Sequence, residues 1–180
     1  MIDYIKGKVI EVLNDFIVIE TGNFGIKIET PHKFEKKDTK IYTYLTFKDE
    51  SFRLFGFKDR QTRELFIKLT SINGIGVKHA FSILKNFNYE DFTLAVENNR
   101  IDLLSSVPGI GKKTASRIIL ELKGKLSFSE EPIFNDAVEA LVSLGFEKEK
   151  VIKIVKELSQ KTNSLEELIK LSLQKLSEKG

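Results

Sequence analysis

Cysteine and tryptophan are absent from this 180-residue chain, which also has only one methionine and three prolines. Without cysteine the chain can form neither a disulfide framework nor a thiolate metal site. No run of about 18 apolar residues is present, which argues against a membrane-spanning helix. The first residues also lack the apolar core of a secretory signal peptide. We therefore expect a cytoplasmic protein that does not associate with membranes.

Charge is distributed unevenly along the chain, although the net charge is only +3. Basic residues outnumber acidic ones by 11 to 10 in residues 1–62 and by 10 to 6 in residues 63–125, whereas acidic residues lead by 10 to 8 in residues 126–180. A basic excess confined to one segment is typical of a nucleic-acid contact, and an acidic segment is free to serve another partner. The middle of the chain is therefore the first place to look for a nucleic-acid site.

An internal repeat with a shift of 35 residues occupies this basic segment. The aligned pairs are Leu69 with Leu104, Ile72 with Val107, Gly74 with Gly109, Ile75 with Ile110, Gly76 with Gly111, Ala80 with Ala115, Ile83 with Ile118 and Leu84 with Ile119. Each copy predicts a short helix, a turn in which apolar residues and glycines alternate, and a second helix. The pattern resembles a tandem helix-hairpin-helix module, which holds the DNA backbone without reading sequence. Ordinary helix-turn-helix corners are the alternative.

The two glycine turns are candidate phosphate sites. A turn that opens into a helix leaves backbone N–H groups unpaired at the positive end of the helix dipole, and the cations that follow add full charges. The predicted phosphate-binding residues are Gly74, Gly76, Lys78, Gly109, Gly111, Lys112, Lys113 and Arg117. For Arg117, a solvated charge on its helix is the alternative role.

Neither turn fits a nucleotide-binding motif. In a P-loop, Ser106 would have to be glycine and Lys113 would have to be serine or threonine. In a Rossmann fingerprint, Thr114 and His79 occupy the places of the third glycine. We therefore predict no ATP site.

Five short strands are predicted before the repeat, over residues 2–12, 16–19, 24–30, 41–47 and 52–57. Many short strands in under 60 residues favour a small OB-like barrel. Six phenylalanines lie in these strands, and we expect most of them in the barrel core, with stacking on exposed bases as the alternative. They are Phe16, Phe24, Phe47, Phe52, Phe55 and Phe57.

Two adjacent carboxylates, Asp49 and Glu50, lie on the connection between the last two predicted strands. A charged turn is ordinarily just solvated. A metal or acid–base site is a weaker interpretation, because no third ligand is in sight.

After a linker over residues 126–132, three amphipathic helices are predicted within residues 133–180. They form a small bundle, and a bundle of this size often leaves part of its apolar surface exposed for a partner.

In this order, the barrel, tandem hairpins and bundle resemble the RuvA family of Holliday-junction-binding proteins. The most specific segments are 54–57 (LFGF), 72–78 (INGIGVK), 107–115 (VPGIGKKTA) with Arg117, and 140–146 (ALVSLGF). The resemblance implies an α+β multidomain chain with an OB-like barrel at 1–62, an all-α tandem helix-hairpin-helix domain at 63–125, a linker at 126–132 and a UBA-like three-helix bundle at 133–180. Family members commonly have a longer linker than this one.

The resemblance also implies a function. The chain would bind four-way junction DNA as a homotetramer in recombination and repair. The resemblance does not decide whether one tetramer or two face-to-face tetramers bind each junction. Asp49 and Glu50 would form an acidic pin at the crossover. The bundle would bind the hexameric ATPase RuvB through a face that includes Leu141, Leu144 and Phe146, and the resolvase RuvC would be a further partner. The chain itself would be no enzyme, with no catalytic residue, metal or cofactor.

Two alternatives remain open from the sequence. Tandem helix-hairpin-helix units also occur in nuclease accessory subunits and other DNA-repair modules, which an acidic metal cluster would favour. An OB-fold protein that binds RNA, with a protein-interaction tail, is the other alternative.

Overall fold

The computed structural model describes residues 2–48, 50–126, 132–159, 162 and 164–177. The chain divides into two compact units, Met1–Gly124 and Lys125–Gly180. The first unit contains a β-barrel followed by helices, and the second is helical. The predicted α+β architecture is confirmed.

Five strands form a closed barrel in the order β1-β2-β3-β5-β4. The strands are β1 Tyr4–Val12, β2 Phe16–Thr21, β3 Phe24–Glu29, β4 Asp38–Lys48 and β5 Ser51–Phe57. Neighbours are antiparallel except β3 and β5, which run parallel where Glu29 meets Phe55. Alternate side chains point inward, and the barrel core consists of Ile5, Val9, Ile17, Ile19, Ile28 and Ile41. The predicted OB-like barrel is therefore present, because strands with one apolar face bury that face by closing on themselves.

Five helices complete the first unit: α1 Arg60–Ser71, α2 Val77–Asn86, α3 Tyr89–Glu97, α4 Ile101–Ser105 and α5 Lys112–Leu122. The sequence pattern predicts α1 only from residue 64, but the helix begins earlier because Asp59 caps it. The Asp59 carboxylate accepts a hydrogen bond from the Thr62 N–H at 2.7 Å, which satisfies one of the unpaired donors at the helix start.

An aromatic cluster joins the barrel to the helices of the first unit. The Phe66 ring of α1 lies 5.0 Å from both Phe55 and Phe57 of β5, and Phe81 of α2 lies 5.6 Å from Phe66. Phe55, Phe57 and Phe66 are at most 1% exposed. Truncating one such ring to alanine costs about 3–5 kcal/mol. The cluster therefore holds α2, and the turn before it, in a fixed place beside the barrel.

An ion pair with a buried arginine also joins α1 to the residue that precedes β1. The guanidinium of Arg63 on α1 is almost fully buried and lies 2.6 Å from the Asp3 carboxylate. This hydrogen bond lowers the pKa of Asp3, because it stabilises the charged form.

The second unit contains α6 Pro132–Ser143, α7 Lys148–Ser159 and α8 Leu165–Ser177. The sequence pattern predicts this helix from Asn135, but α6 begins at Pro132, because proline fits the first turn of a helix well. The fully buried side chains of the bundle include Ala137, Leu141, Val151, Val155 and Leu168.

Candidate nucleic-acid interface

The two glycine turns have the same backbone conformation. Gly74 and Gly109 both adopt φ +87°, a left-handed region that side chains with a Cβ seldom enter. Two residues later, Gly76 and Gly111 are extended, with φ of −94° and −83°, and precede α2 and α5. The repeat in the sequence is therefore a repeat of backbone geometry.

Buried apolar side chains anchor each turn from below. Ile75 and Ile110, which separate the glycines of each turn, are 4% and 3% exposed. The Ile75 N–H donates to the Ile72 carbonyl at 3.0 Å, and the Ile110 N–H donates to the Val107 carbonyl at 2.9 Å. Both members of four further repeat pairs are also buried: Leu69 and Leu104, Ala80 and Ala115, Ile83 and Ile118, Leu84 and Ile119.

The glycines themselves are exposed. Within the described part of the chain, the N–H groups of Gly74, Gly76, Gly109 and Gly111 have no hydrogen-bond acceptor. Exposed N–H donors at two helix starts form a ready anion site. Each turn can therefore offer donors to one phosphate.

Four predicted cations surround these turns. Lys78, Lys112 and Lys113 are exposed, and no carboxylate of the described residues lies within ion-pair distance of them. Arg117 is also exposed, but its Nη1 donates to the Asn73 carbonyl at 2.8 Å. The lysines are thus available to an external anion, whereas Arg117 already holds part of the first turn.

A groove of about 1350 Å³ separates the first turn from strands β4 and β5. Gly74, Gly76 and Lys78 line one side, and Thr46 and Arg53 line the other. Arg53 is held by a bidentate ion pair with Glu29, at 2.9 and 2.6 Å. The groove therefore connects the first candidate phosphate site with the β4–β5 hairpin.

The tip of that hairpin carries Glu50, one member of the predicted acidic pair. Lys48 pairs with Ser51, and Glu50 lies in the connection between them. Glu50 is exposed and has φ +59°, which is uncommon for a residue other than glycine. Asp49 lies outside the described residues.

Aromatic side chains at this hairpin are more exposed than the sequence pattern predicts. Phe47 and Phe52 are 63% and 73% exposed, with ring centroids 4.7 Å apart, and Phe24 is 72% exposed. The expectation of core positions is wrong for these three residues, and only Phe55 and Phe57 of the six are fully buried. The cause for Phe47 and Phe52 is that the hairpin tip extends beyond the strands on either side. Base stacking on them stays the alternative that the sequence pattern leaves open.

The C-terminal bundle separates the three predicted partner-binding residues. Leu141 is completely buried, Phe146 is half-buried and Leu144 is 63% exposed. Leu144 protrudes because α6 ends there, at Gly145 with φ +93°. Leu144 and part of Phe146 are thus the accessible members of this set, and Leu141 supports them from the core.

No group of three or more His, Asp or Glu side chains in the described residues is arranged to hold a metal ion. No described helix has the length and apolar character needed to span a bilayer.

Comparison with known proteins matches each part of the chain. The family profile "RuvA N terminal domain" matches residues 1–56, "SAM-like Helix-hairpin-helix tandem" matches 66–125, and "RuvA, C-terminal domain" matches 132–177. A protein of Caldanaerobacter subterraneus subsp. tengcongensis, named Holliday junction branch migration complex subunit RuvA, is 39% identical over 98% of this chain and 100% of its own length. The chain belongs to the RuvA family.

Other RuvA proteins of the same name show similar agreement. Those of Staphylococcus epidermidis and Anoxybacillus flavithermus are 35% and 38% identical, and each match covers 98% of this chain and 99% of the relative. The RuvA match from S. epidermidis extends over 198 positions, at least 18 more than the 180 residues of this chain. That relative therefore contains residues that this RuvA-family chain lacks. The prediction of a short linker concerns residues 126–132, of which 127–131 lie outside the described residues.

Proposed function

We propose that this chain binds four-way (Holliday) junction DNA irrespective of sequence, as a homotetramer that holds the junction open for branch migration in recombination and repair. One observation carries the proposal. Two turns of the same backbone conformation display unpaired N–H groups beside unpaired lysines, in a chain whose relatives are named as Holliday junction branch migration complex subunits. The proposed DNA contacts are Gly74, Gly76, Lys78, Gly109, Gly111, Lys112, Lys113 and Arg117.

Binding irrespective of DNA sequence follows from the chemical groups that the two turns present. Backbone N–H groups and lysine side chains recognise phosphate oxygens, which are the same at every base pair. A protein that must let a junction migrate cannot prefer particular bases, because it would stop wherever it met them.

The acidic hairpin supplies selectivity for the junction. A carboxylate 4 Å from a phosphate costs about 1 kcal/mol in water, and several-fold more where water is partly excluded. At an open crossover the strands diverge and leave a gap for Asp49 and Glu50. On a continuous duplex the phosphates would be pressed against the carboxylates, so the hairpin penalises the wrong substrate more than the right one.

The second unit gives the complex its link to a motor. It is a separate compact unit, and its accessible apolar side chains at Leu144 and Phe146 fit a protein partner. We assign this face to a hexameric ATPase of the RuvB kind, which supplies the energy that the present chain does not. The resolvase RuvC is the further partner expected from the family.

Fluorescence anisotropy with labelled DNA tests the proposal. A four-way junction, a linear duplex of the same sequence, a flap substrate and a matched RNA are each titrated with the full chain, and two junctions with unrelated arm sequences are compared. We expect the junctions to bind equally and far more tightly than the other three. Preference for the flap would favour the nuclease-subunit alternative, and preference for RNA would favour the RNA-binding alternative.

A further inference from the structure

Two side-chain hydrogen bonds connect the repeats to each other. The Ser82 hydroxyl, on α2 of the first repeat, donates to the Pro108 carbonyl in the second turn at 2.7 Å. Arg117 Nη1, on α5 of the second repeat, donates to the Asn73 carbonyl in the first turn at 2.8 Å. Each second helix therefore holds the turn of the other repeat.

These two bonds are equivalent under the repeat. A shift of 35 residues takes Ser82 to Arg117 and Asn73 to Pro108. The donors differ in chemistry, a hydroxyl and a guanidinium, but occupy the same position and reach the same kind of acceptor. The pair is reciprocal, as expected for two copies of a unit packed about a local two-fold axis.

The acceptors are the peptide groups that matter most for an anion site. The Asn73 carbonyl belongs to the same peptide group as the Gly74 N–H, and the Pro108 carbonyl to the same group as the Gly109 N–H. A peptide group is planar and trans, so its C=O and N–H point in opposite directions. A bond that holds the carbonyl toward the protein therefore points the glycine N–H away from it, and both of these N–H groups are unpaired within the described residues.

We infer that Ser82 and Arg117 form a reciprocal brace that aims the Gly74 and Gly109 N–H groups at the DNA phosphates. Ser82 is a positioning residue, Arg117 has this positioning role in addition to its proposed phosphate contact, and both roles rest on the proposed function of the two turns. Glycine at position 74 also leaves room for the brace, since a Cβ there would lie 3.2 Å from Arg117 Nη1. The brace makes the two turns one rigid element, so that two phosphates of a duplex arm are met at a fixed separation.

Ser82→Ala is the cleanest test, because it removes one bond of the brace without changing charge. Ser71→Ala is its matched control: the Ser71 hydroxyl lies at the end of α1, beside the first turn, but bonds within its own helix, to the Lys68 carbonyl at 2.7 Å. A neutral hydrogen bond contributes about 0.5–1.5 kcal/mol, which corresponds to a loss of affinity of about 2- to 12-fold for each subunit whose turn contacts DNA. Because a homotetramer carries the substitution four times, we expect Ser82→Ala to weaken junction binding by at least that factor with an unchanged salt slope, and Ser71→Ala to bind as the wild type does.

Hydrogen–deuterium exchange on the free full-length chain tests the brace independently of DNA. Losing the Ser82 bond should accelerate exchange of the Ile110 N–H, in the second turn. Losing Arg117, in Arg117→Ala, should accelerate exchange of the Ile75 N–H, in the first turn. This crossed pattern is specific to the brace, because a residue that only contacts phosphate would leave exchange of the free protein unchanged.

The outcomes separate the two proposals. Wild-type exchange at Ile110 in Ser82→Ala overturns the brace, whatever the affinity. The crossed exchange pattern together with wild-type junction affinity for Ser82→Ala overturns the aiming of the N–H groups. If the wild-type chain does not prefer a junction, the proposed function fails, and the exchange pattern still decides whether the brace exists.

Discussion

Replacing Lys112 by alanine tests the phosphate grip most directly. Lys112 is the first residue of α5, directly after the second glycine turn, and its side chain is exposed. No described carboxylate lies within ion-pair distance of it. The substitution therefore removes one charge beside the turn without breaking an ion pair among the described residues. Any effect on DNA binding should come from the lost phosphate contact.

The size of the effect follows from counterion release. Each phosphate contact contributes about 0.9 to the slope of log K against log salt. In a homotetramer the substitution is present four times, so the slope should flatten by about 3.6 if every copy loses one contact. Over a fourfold rise in salt, wild-type binding should then weaken about 150-fold more than binding of the variant. A change of only about 0.9 would mean that a single copy touches DNA.

Anisotropy titrations of a four-way junction at five or more salt concentrations measure both slopes. Lys153→Ala is the matched control, because it removes the same charge from an exposed position on α7 in the second unit. We expect the control to keep the wild-type slope, and Lys112→Ala to weaken binding equally on unrelated arm sequences. A wild-type slope for Lys112→Ala would show that this lysine is merely solvated and would refute the reasoning.

Three further changes test other parts of the molecule. Asp49→Asn with Glu50→Asn removes both carboxylates, and asparagine tolerates the left-handed backbone at position 50. In gel shifts at low salt, affinity for linear duplex should rise more than affinity for the junction. Unchanged affinities would show that the two carboxylates are merely solvated. Deleting residues 133–180 should preserve junction binding but abolish stimulation of the ATPase partner, whereas loss of junction binding by a folded truncation would place the DNA site elsewhere. Burial, assisted by the charge of Lys58, lowers the pKa of His32 from 6.5 to about 4, so the folded chain holds this histidine neutral where the unfolded chain protonates it. The resulting contribution to the free energy of unfolding is complete above about pH 6.5 and is lost as the pH falls toward 4, by about 2 kcal/mol between pH 7 and pH 5. Denaturant unfolding should show this loss in the wild type but not in His32→Gln. An equal loss in both proteins would contradict the role of His32.

Local features of the molecule could be predicted from the sequence because their causes are local. The left-handed backbone at Gly74 and Gly109 depends on the absence of a Cβ and on the apolar neighbours that anchor each turn. Repetition at 35 residues made the two turns recognisable as one structural unit. Strand alternation likewise indicated a barrel, since one face of each strand is apolar. The family resemblance rested on these same segments.

Other properties depend on which residues meet across long separations in the sequence. The bond between Arg117 and Asn73 spans 44 residues, and nothing in the local pattern distinguishes this arginine from a solvated one. The exposure of Phe47 and Phe52 is set by how far the β4–β5 hairpin extends past its neighbouring strands, not by the alternation within it. Leu141 and Leu144 lie three residues apart on one apolar stripe, yet one is buried and the other 63% exposed, because only the packing of α7 and α8 against α6 defines where the stripe is covered. Amino-acid type and spacing thus determined which units form, whereas contacts between units decided which side chains remain available to a ligand.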